Sequence, residues 1–435
     1  MSAPSSEPAA AVRPDLLAAL RERVVVTDGA MGTMLQEHDL GLEDFEGHEG
    51  CNEILSLTRP DVVRAIHDAY FEVGCDVVET NTFGSNYANL AEYGIVDRIA
   101  ETALAGARIA RASADAWTTP DRPRWVLGSV GPGTKLPTLG HAPYALLRDA
   151  YQQQCEAMIE GGIDGVLVET SQDLLQAKAA VVGARRAMSA SGHSVALLAQ
   201  VTVELTGTML LGSEIGAALT ALEPLGIDVI GMNCATGPAE MGEHLRFLSQ
   251  HASVPISVMP NAGLPQLGPR GAVYPLRPVE LADALEQFVT SYGVGLVGGC
   301  CGTTPEHLRH VVDRVRGREV APRTPEVEAS AASLYSAVPF RQDAGVLMIG
   351  ERTNTNGSKA FREAMLVGDW EKVVDIGREA VREGAHLIDL CVDYVGRDGA
   401  IDMIAVASRL ATASTLPIML DSTEPPVIEL SLIHI

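Results

Sequence analysis

The chain has 435 residues, 46% of them hydrophobic, with a net charge of −24 at pH 7. That length suits two or three domains, and that hydrophobic share fills large cores, which excludes a globally disordered chain. The negative balance excludes a surface built for phosphate, so neither nucleic acid nor an anionic membrane is expected as a partner, and no apolar run is long enough for a transmembrane helix.

The chain starts with a Ser/Ala/Pro-rich stretch that lacks the apolar segment of a secretory signal, and residues 1–14 are read as a disordered tail. Seven cysteines without such a signal point to a reducing, cytoplasmic setting, where clustered cysteines mean metal or catalysis more often than disulfides. Short β-branched runs then recur at Val24–Asp28, Asp76–Thr80, Trp125–Ser129, Gly165–Glu169, Val195–Val201, Asp228–Asn233, Pro255–Met259 and Val294–Val297. Segments with helical apolar spacing lie between them. Pro60 to Tyr70 has its proline at a first helical turn, and Thr304 to Val312 opens with a capping Thr304 and a Pro305 suited to the first turn. Eight apolar strands alternating with helices over 15–320 predict an α/β fold of the (β/α)8 TIM-barrel type. A doubly wound open sheet is the alternative, but no Gly-x-Gly-x-x-Gly follows the first strand.

Residues 321–340, with Pro322, Pro325 and the run Ala329 to Ser333, read as a linker. A second α/β series occupies 341–435. It has strands at Val346–Gly350, Leu387–Leu390 and Pro417–Asp421, and helices from Lys359 to Glu383 and from Ala400 to Ala413. Three strands make too small a parallel sheet to stand alone, so this part is expected to be a truncated second (β/α) barrel. The closing residues Leu430 to Ile435 match the translation of a common sequencing adapter and are expected to be an artefact of assembly.

Active sites of such barrels lie at the C-terminal ends of the strands. Asp28, Glu79–Thr80, Glu169, Asn233–Cys234 and Cys300–Cys301 all fall at those ends. Cys300 and Cys301 are adjacent among glycines, and neighbouring residues of a regular strand face opposite ways, so they reach one point only if the backbone bends. Together with Cys234 they form a candidate soft metal site suited to zinc, with a fourth position for a thiol substrate. That thiol would lose its proton there and attack a methyl donor. A buried cysteine pair or a vicinal disulfide is the plainer reading. Cys51, Cys75, Cys155 and Cys391 are read as packing, and the histidines as surface or capping residues. Glu169 suits either an ion pair or a substrate ammonium. Asp28 with Gly29 suits either a turn or, through the N–H groups of Gly29 to Met31, a bound carboxylate.

Asp28–Thr33, Glu79–Phe83, Gly231–Cys234 and Gly298–His307 together resemble the homocysteine-binding barrel of the cobalamin-dependent methionine synthases. The resemblance implies that Cys234, Cys300 and Cys301 bind Zn2+ and are the catalytic centre. It also implies that homocysteine is the substrate and that Asp28, Gly29, Thr80 and Glu169 hold its amino-acid end. Gly350–Asn354, Ile388–Asp393 and Leu420–Thr423 resemble the start of that family's pterin-binding barrel. This implies a site for 5-methyltetrahydrofolate at Glu351, Asn354, Asp389, Asp393 and Asp421. The family's methyl carrier is methylcobalamin, held through an Asp-x-His-x-x-Gly motif that no histidine here completes, so a separate cobalamin-binding module is the expected partner. Two alternatives stay open: a homocysteine methyltransferase using betaine or S-methylmethionine, which would lack the pterin-like part, and a non-catalytic zinc- or thiol-binding fragment.

Overall fold

The computed structural model describes residues 15–268, 271–343 and 345–431, so the tail at 1–14 and the last four residues lie outside the described residues. Eight parallel strands, β1 (Val25–Val26), β2 (Val77–Glu79), β3 (Trp125–Val130), β4 (Gly165–Ser171), β5 (Ala196–Val201), β6 (Val229–Asn233), β7 (Ile256–Met259) and β8 (Val294–Val297), form one sheet. Each strand from β2 to β8 pairs with the next, and β8 returns to pair with β1, with Val25 opposite Leu296. The remaining seam, between β1 and β2, is bridged by Asp76. Its N–H donates to Val26 O at 2.7 Å, and its carboxylate accepts the Val26 N–H at 3.0 Å. The sheet thus curls into a (β/α)8 barrel.

The strands are buried on both faces, which explains why they read as continuous apolar runs. Val25, Val77, Leu127, Leu167, Leu198, Val229 and Leu296 pack with one another as the filling of the barrel, and Leu16 and Leu20 of α1 (Leu16–Glu22) join the same cluster. The opposite faces meet the helices in a second, larger core. Pro60 does open a helix, which runs to Val73 and stops at Gly74 (φ 111°). Thr304 and Pro305 open the helix Pro305–Val315. The Thr304 hydroxyl lies 2.9 Å from His307 Nδ1 and the Thr304 N–H donates to it at 3.3 Å, while His307 Nε2 donates to Leu276 O at 3.0 Å. His67, in contrast, is neither a surface nor a capping residue. It is fully buried in the helix Pro60–Val73, with neither ring nitrogen hydrogen-bonded, and burial lowers its pKa to about 4.

The 321–340 stretch is not structureless: Ser330–Ala332 pairs antiparallel with Ala337–Pro339, and Tyr335 O accepts the Glu214 N–H at 2.8 Å. Beyond it β9 (Ile349–Asn354), β10 (Leu387–Cys391) and β11 (Ile418–Leu420) form a separate parallel sheet in that order. Its own core includes Phe361, Met365, Ile388, Leu390, Met403, Val406 and Leu410. Two expectations are corrected here. The strand expected at Val346–Gly350 begins at Ile349, because pairing of Ile349 with Leu387 sets its register and carries it on through polar residues to Asn354. The single helix expected from Lys359 to Glu383 is two, Lys359–Val367 and Trp370–Arg382. Gly368 (φ 74°) closes the first, and the Asp369 carboxylate caps the second through the Lys372 N–H at 3.1 Å. Among the described residues no helix is long and apolar enough to cross a membrane.

The Asp76 carboxylate also accepts two hydrogen bonds from Arg23, at 2.9 and 3.0 Å, and lies 3.8 Å from Arg124. Asp76→Ala removes the acceptor of the Val26 N–H and the carboxylate that Arg23 and Arg124 face, leaving the two guanidinium groups only backbone carbonyls at the barrel seam. It is expected to lower stability by about 3 kcal/mol in urea unfolding; a loss below about 0.5 kcal/mol would show the seam closing without it.

Candidate metal centre and substrate mouth

The C-terminal ends of β1, β2, β4, β6 and β8 surround a cavity of about 240 Å3 lined by Asp28, Glu79, Glu169, Cys234, Cys300 and Cys301 among others. Two roomier clefts lie away from these residues: one of about 770 Å3 where the 330–339 hairpin meets the barrel helices, and one of about 340 Å3 lined by barrel helices, the hairpin and Ser408 to Leu420 of the second unit. Among the described residues, Cys234, Cys300 and Cys301 form the one cluster of Cys, His, Asp or Glu able to hold a metal ion.

Each cysteine lies where the backbone has left its strand. β8 stops at Val297, and the turn after it is pinned from several sides. The Gly299 N–H donates to Asp28 O at 3.0 Å, Cys300 N–H to Pro260 O at 2.9 Å, and Cys301 N–H to the Asn261 side-chain oxygen at 3.1 Å. Gly302 (φ 78°) completes the turn, and a Cβ there would overlap the ring of Tyr274. Cys234 follows β6 in a left-handed conformation (φ 60°), as does Ala235 (φ 56°). That conformation is uncommon for a residue with a Cβ and turns Cys234 toward the other two. The three Sγ atoms lie within 4.8 Å of one another, with Cys234 and Cys301 3.9 Å apart. A tetrahedron with zinc–sulfur arms of about 2.3 Å has edges of about 3.8 Å, so the spacing fits that ion. All three cysteines are free.

Among themselves the thiols concentrate one negative charge on Cys301. Hydrogen bonds from Cys234 and Cys300, and a further one from the Tyr274 phenol, pull it down to about 3. Cys300 is pushed well up by the hydrogen bonds it gives to Cys234 and Cys301. At Cys234 the bond from Cys300 acts downward, but its own bond to Cys301 and its burial prevail and raise it to about 12. Tyr274 is raised by burial and by the charge on Cys301.

Opposite the sulfurs stand carboxyl groups. Asp28 is 2% exposed and Glu169 5% exposed. Asp28 Oδ2 accepts the Glu79 N–H at 3.0 Å. Glu169 accepts from the Ser129 hydroxyl at 2.5 Å and the Asn233 side-chain N–H at 3.1 Å. Burial raises the pKa of Asp28, of Glu79 and of Glu169, the last to about 7. Asn233 is the joint between the two halves of the mouth. Its amide also donates to the Thr170 hydroxyl at 2.8 Å and accepts the Thr170 N–H at 2.7 Å, holding Thr170 in a left-handed conformation (φ 54°), and it lies 3.9 Å from Cys300 Sγ.

Not every expected residue faces the cavity in the expected way. The Ala30 N–H is taken by Thr303, at 3.2 Å from its hydroxyl, so of the Gly29–Met31 group those of Gly29 and Met31 remain for a carboxylate. The Thr80 hydroxyl is engaged behind the wall, 2.5 Å from that of Thr82 and accepting the Ser129 N–H at 3.0 Å. Cys51, Cys75, Cys155 and Cys391 are buried. In the second unit Asn354 donates to Asp389 at 2.8 Å and to Asp421 at 3.3 Å, and Asp389 Oδ1 is buried with no partner. Asp393 instead accepts from Ser422 at 2.7 Å and from the Thr423 N–H at 2.8 Å, which holds that loop. Glu351 is exposed. Glu79 and Asn233 fall at strand ends and inside the quoted motifs, but their sequence alone gives them no role; Asn261 and Tyr274 follow β7 with no local signal.

Residues 25–315 match the family model for homocysteine S-methyltransferase, and residues 350–434 match that for pterin binding enzyme. A methionine synthase of Mycobacterium tuberculosis is 63% identical over 421 residues, and one of Mycobacterium leprae 61% over 426. Each alignment covers 97% of this chain, which spans 35% of the length of either relative. The metallated form of the homocysteine methyltransferase MmuM from Escherichia coli has the same fold, with a TM-score of 0.56 at 21% identity over 68% of this chain and 97% of that one. Its oxidized form gives 0.54 at 22% identity, over 67% and 96%.

Glu169, with its pKa raised from 4.5 to about 7, holds a proton in the folded chain that the unfolded chain has released between those values. Stability is therefore expected to fall as pH rises from about 4.5 to 7, by about 3 kcal/mol at most, and Glu169→Gln is expected to make that slope shallower. Urea unfolding at pH 5 and pH 7.5, with a chelator present, checks this; an equal slope in the variant contradicts it.

Proposed function

The chain belongs to the homocysteine S-methyltransferase family, and on that premise we propose that its barrel methylates the sulfur of homocysteine to give methionine. The observation that carries this reading is the convergence of Cys234, Cys300 and Cys301 at a mouth whose far wall is acidic. Three thiol groups at that spacing suit zinc by softness and size. Zinc held there supplies the Lewis acidity that makes a substrate thiol a thiolate at neutral pH. Hydrolytic zinc sites more often carry histidine and carboxylate ligands, so an all-sulfur set favours sulfur chemistry over water activation.

The protein's own groups orient the substrate. Asp28 and Glu169 receive its ammonium group, and the N–H groups of Gly29 and Met31 receive its carboxylate. Thr80 acts from behind, through Ser129, whose hydroxyl steadies Glu169. Asn261 fixes the Cys301 backbone, Asn233 ties Glu169 to the sulfur side, and Tyr274 lies against Gly302 and Cys301. The whole reaction extends beyond this chain. The methyl group is proposed to come from methylcobalamin, carried by a separate cobalamin-binding module and recharged by 5-methyltetrahydrofolate. The pterin would meet the second unit at Asn354, Asp389 and Asp421, where the unpartnered Asp389 Oδ1 suits a ring rich in N–H donors. Glu351 would stand at its edge, and Asp393 would hold the loop. The proposed compartment is the cytoplasm.

Zinc-loaded protein is expected to form methionine from homocysteine and free methylcobalamin, and a chelator to stop it. Cys301→Ala is expected to cut both zinc retention and turnover by more than about 100-fold, since even groups that merely support metal ligands cost 10–100-fold. Full zinc content and activity in that variant would sink the assignment. Turnover with betaine or S-methylmethionine, and none with methylcobalamin, would reassign the donor.

A further inference from the structure

The mouth holds more carboxyl groups than the proposed contacts use. Asp28, Glu79 and Glu169 come from the ends of three strands, and the lining residues include no Lys, Arg or His. Asp28 and Glu79 both line the cavity; Asp28 is 2% exposed, and its Oδ1 and the Glu79 Oε1 are buried without a hydrogen-bond partner. The other side of Glu79 is in hydrogen-bonding contact with Glu169. The charged and titratable groups around Glu79 are Asp28, Glu169 and the buried Tyr70 phenol, and the charge of Cys301 reaches Glu169. None of them is a cation. Glu53, a fourth carboxyl on the lining, is already engaged by the Gly84 N–H at 2.7 Å and the Cys51 thiol at 3.6 Å. Buried carboxyl groups with free acceptor atoms and no positive side chain are costly until a cation arrives. An ammonium group brings one positive charge and three N–H donors, one for each of the three carboxyls.

We propose that Glu79 completes a three-carboxyl pocket that selects thiols bearing a free primary ammonium group. This rests on the homocysteine reading of the site and adds to it a binding residue and a selectivity. A pocket lined by buried acceptors discriminates strongly against an analogue without the matching donors, because its acceptors are then left unpaired.

The test is calorimetric binding to the zinc-loaded 435-residue chain. Three probes serve: homocysteine, norleucine (ammonium without thiol) and 4-mercaptobutanoate (thiol and carboxylate without ammonium). Wild-type protein is expected to prefer homocysteine over 4-mercaptobutanoate by about 100-fold or more. Glu79→Gln is expected to weaken homocysteine and norleucine by about tenfold or more, and to leave 4-mercaptobutanoate within about twofold. Glu79→Asp, which keeps the charge but shortens the reach, falls between and serves if the Gln variant does not fold. Unchanged homocysteine affinity in the variants, or an equal loss for all three probes, overturns the proposal. Failure of the homocysteine reading looks different: wild-type protein then binds neither thiol. Norleucine still decides the matter in that case. Weakening by Glu79→Gln retains the ammonium role, and no binding to wild type, or equal binding to the variant, removes it.

Discussion

Three sulfur atoms held within 4.8 Å of one another repel as soon as more than one carries charge. Regular strands do not bring them together, because adjacent side chains point to opposite faces. The chain meets this constraint with two departures from regular backbone, the left-handed Cys234–Ala235 pair and the turn that closes at Gly302. Both are held by atoms from neighbouring strand ends: Met259 O takes the Cys234 N–H at 3.1 Å, and Asn261 takes that of Cys301. The barrel is the frame that makes these departures tolerable, since each strained segment is clamped between two parallel neighbours.

The same frame divides the mouth electrically. Sulfur occupies the β6 and β8 side, and carboxyl groups occupy the β1, β2 and β4 side. Asn233 spans the two, with one amide on Glu169, on Thr170 and close to Cys300. A short amino thiol, with a soft nucleophile at one end and a cation at the other, matches that division. Burial without a cationic side chain raises the carboxyl groups at one wall, whereas hydrogen bonds from Cys234, Cys300 and Tyr274 lower Cys301 at the other, against its burial.

Much of this was legible in the residues themselves. Strands buried on both faces must read as unbroken apolar runs, so all eight were placed, with errors confined to their ends. Thr304-Pro305 and Pro60 marked helix starts by local chemistry that needs no tertiary partner. The missed break at Gly368–Asp369 was also local: a glycine followed by a capping aspartate stops one helix and starts the next, but apolar periodicity continued across it. The 330–339 hairpin had no such cue. Its strands are three residues each, and it is placed by contact with the barrel, including Tyr335 O on the Glu214 N–H. Asp393 matches a motif, and what the motif does not show is that its carboxylate also holds the Ser422–Thr423 loop.

The sequence by itself determined the alternation of strands and helices, the residue types at the strand ends, and the three cysteines that chemistry would need. These follow from burial periodicity and side-chain identity, which are properties of short stretches. Only the tertiary structure decided which strand ends meet. It brought Cys234 to Cys301 across 67 residues, set Glu79 against Glu169, and laid Tyr274 on Gly302. It also turned the Thr80 hydroxyl behind the wall. The reason is that barrel closure sets these distances through the register of all eight strands at once, and no local segment contains that register.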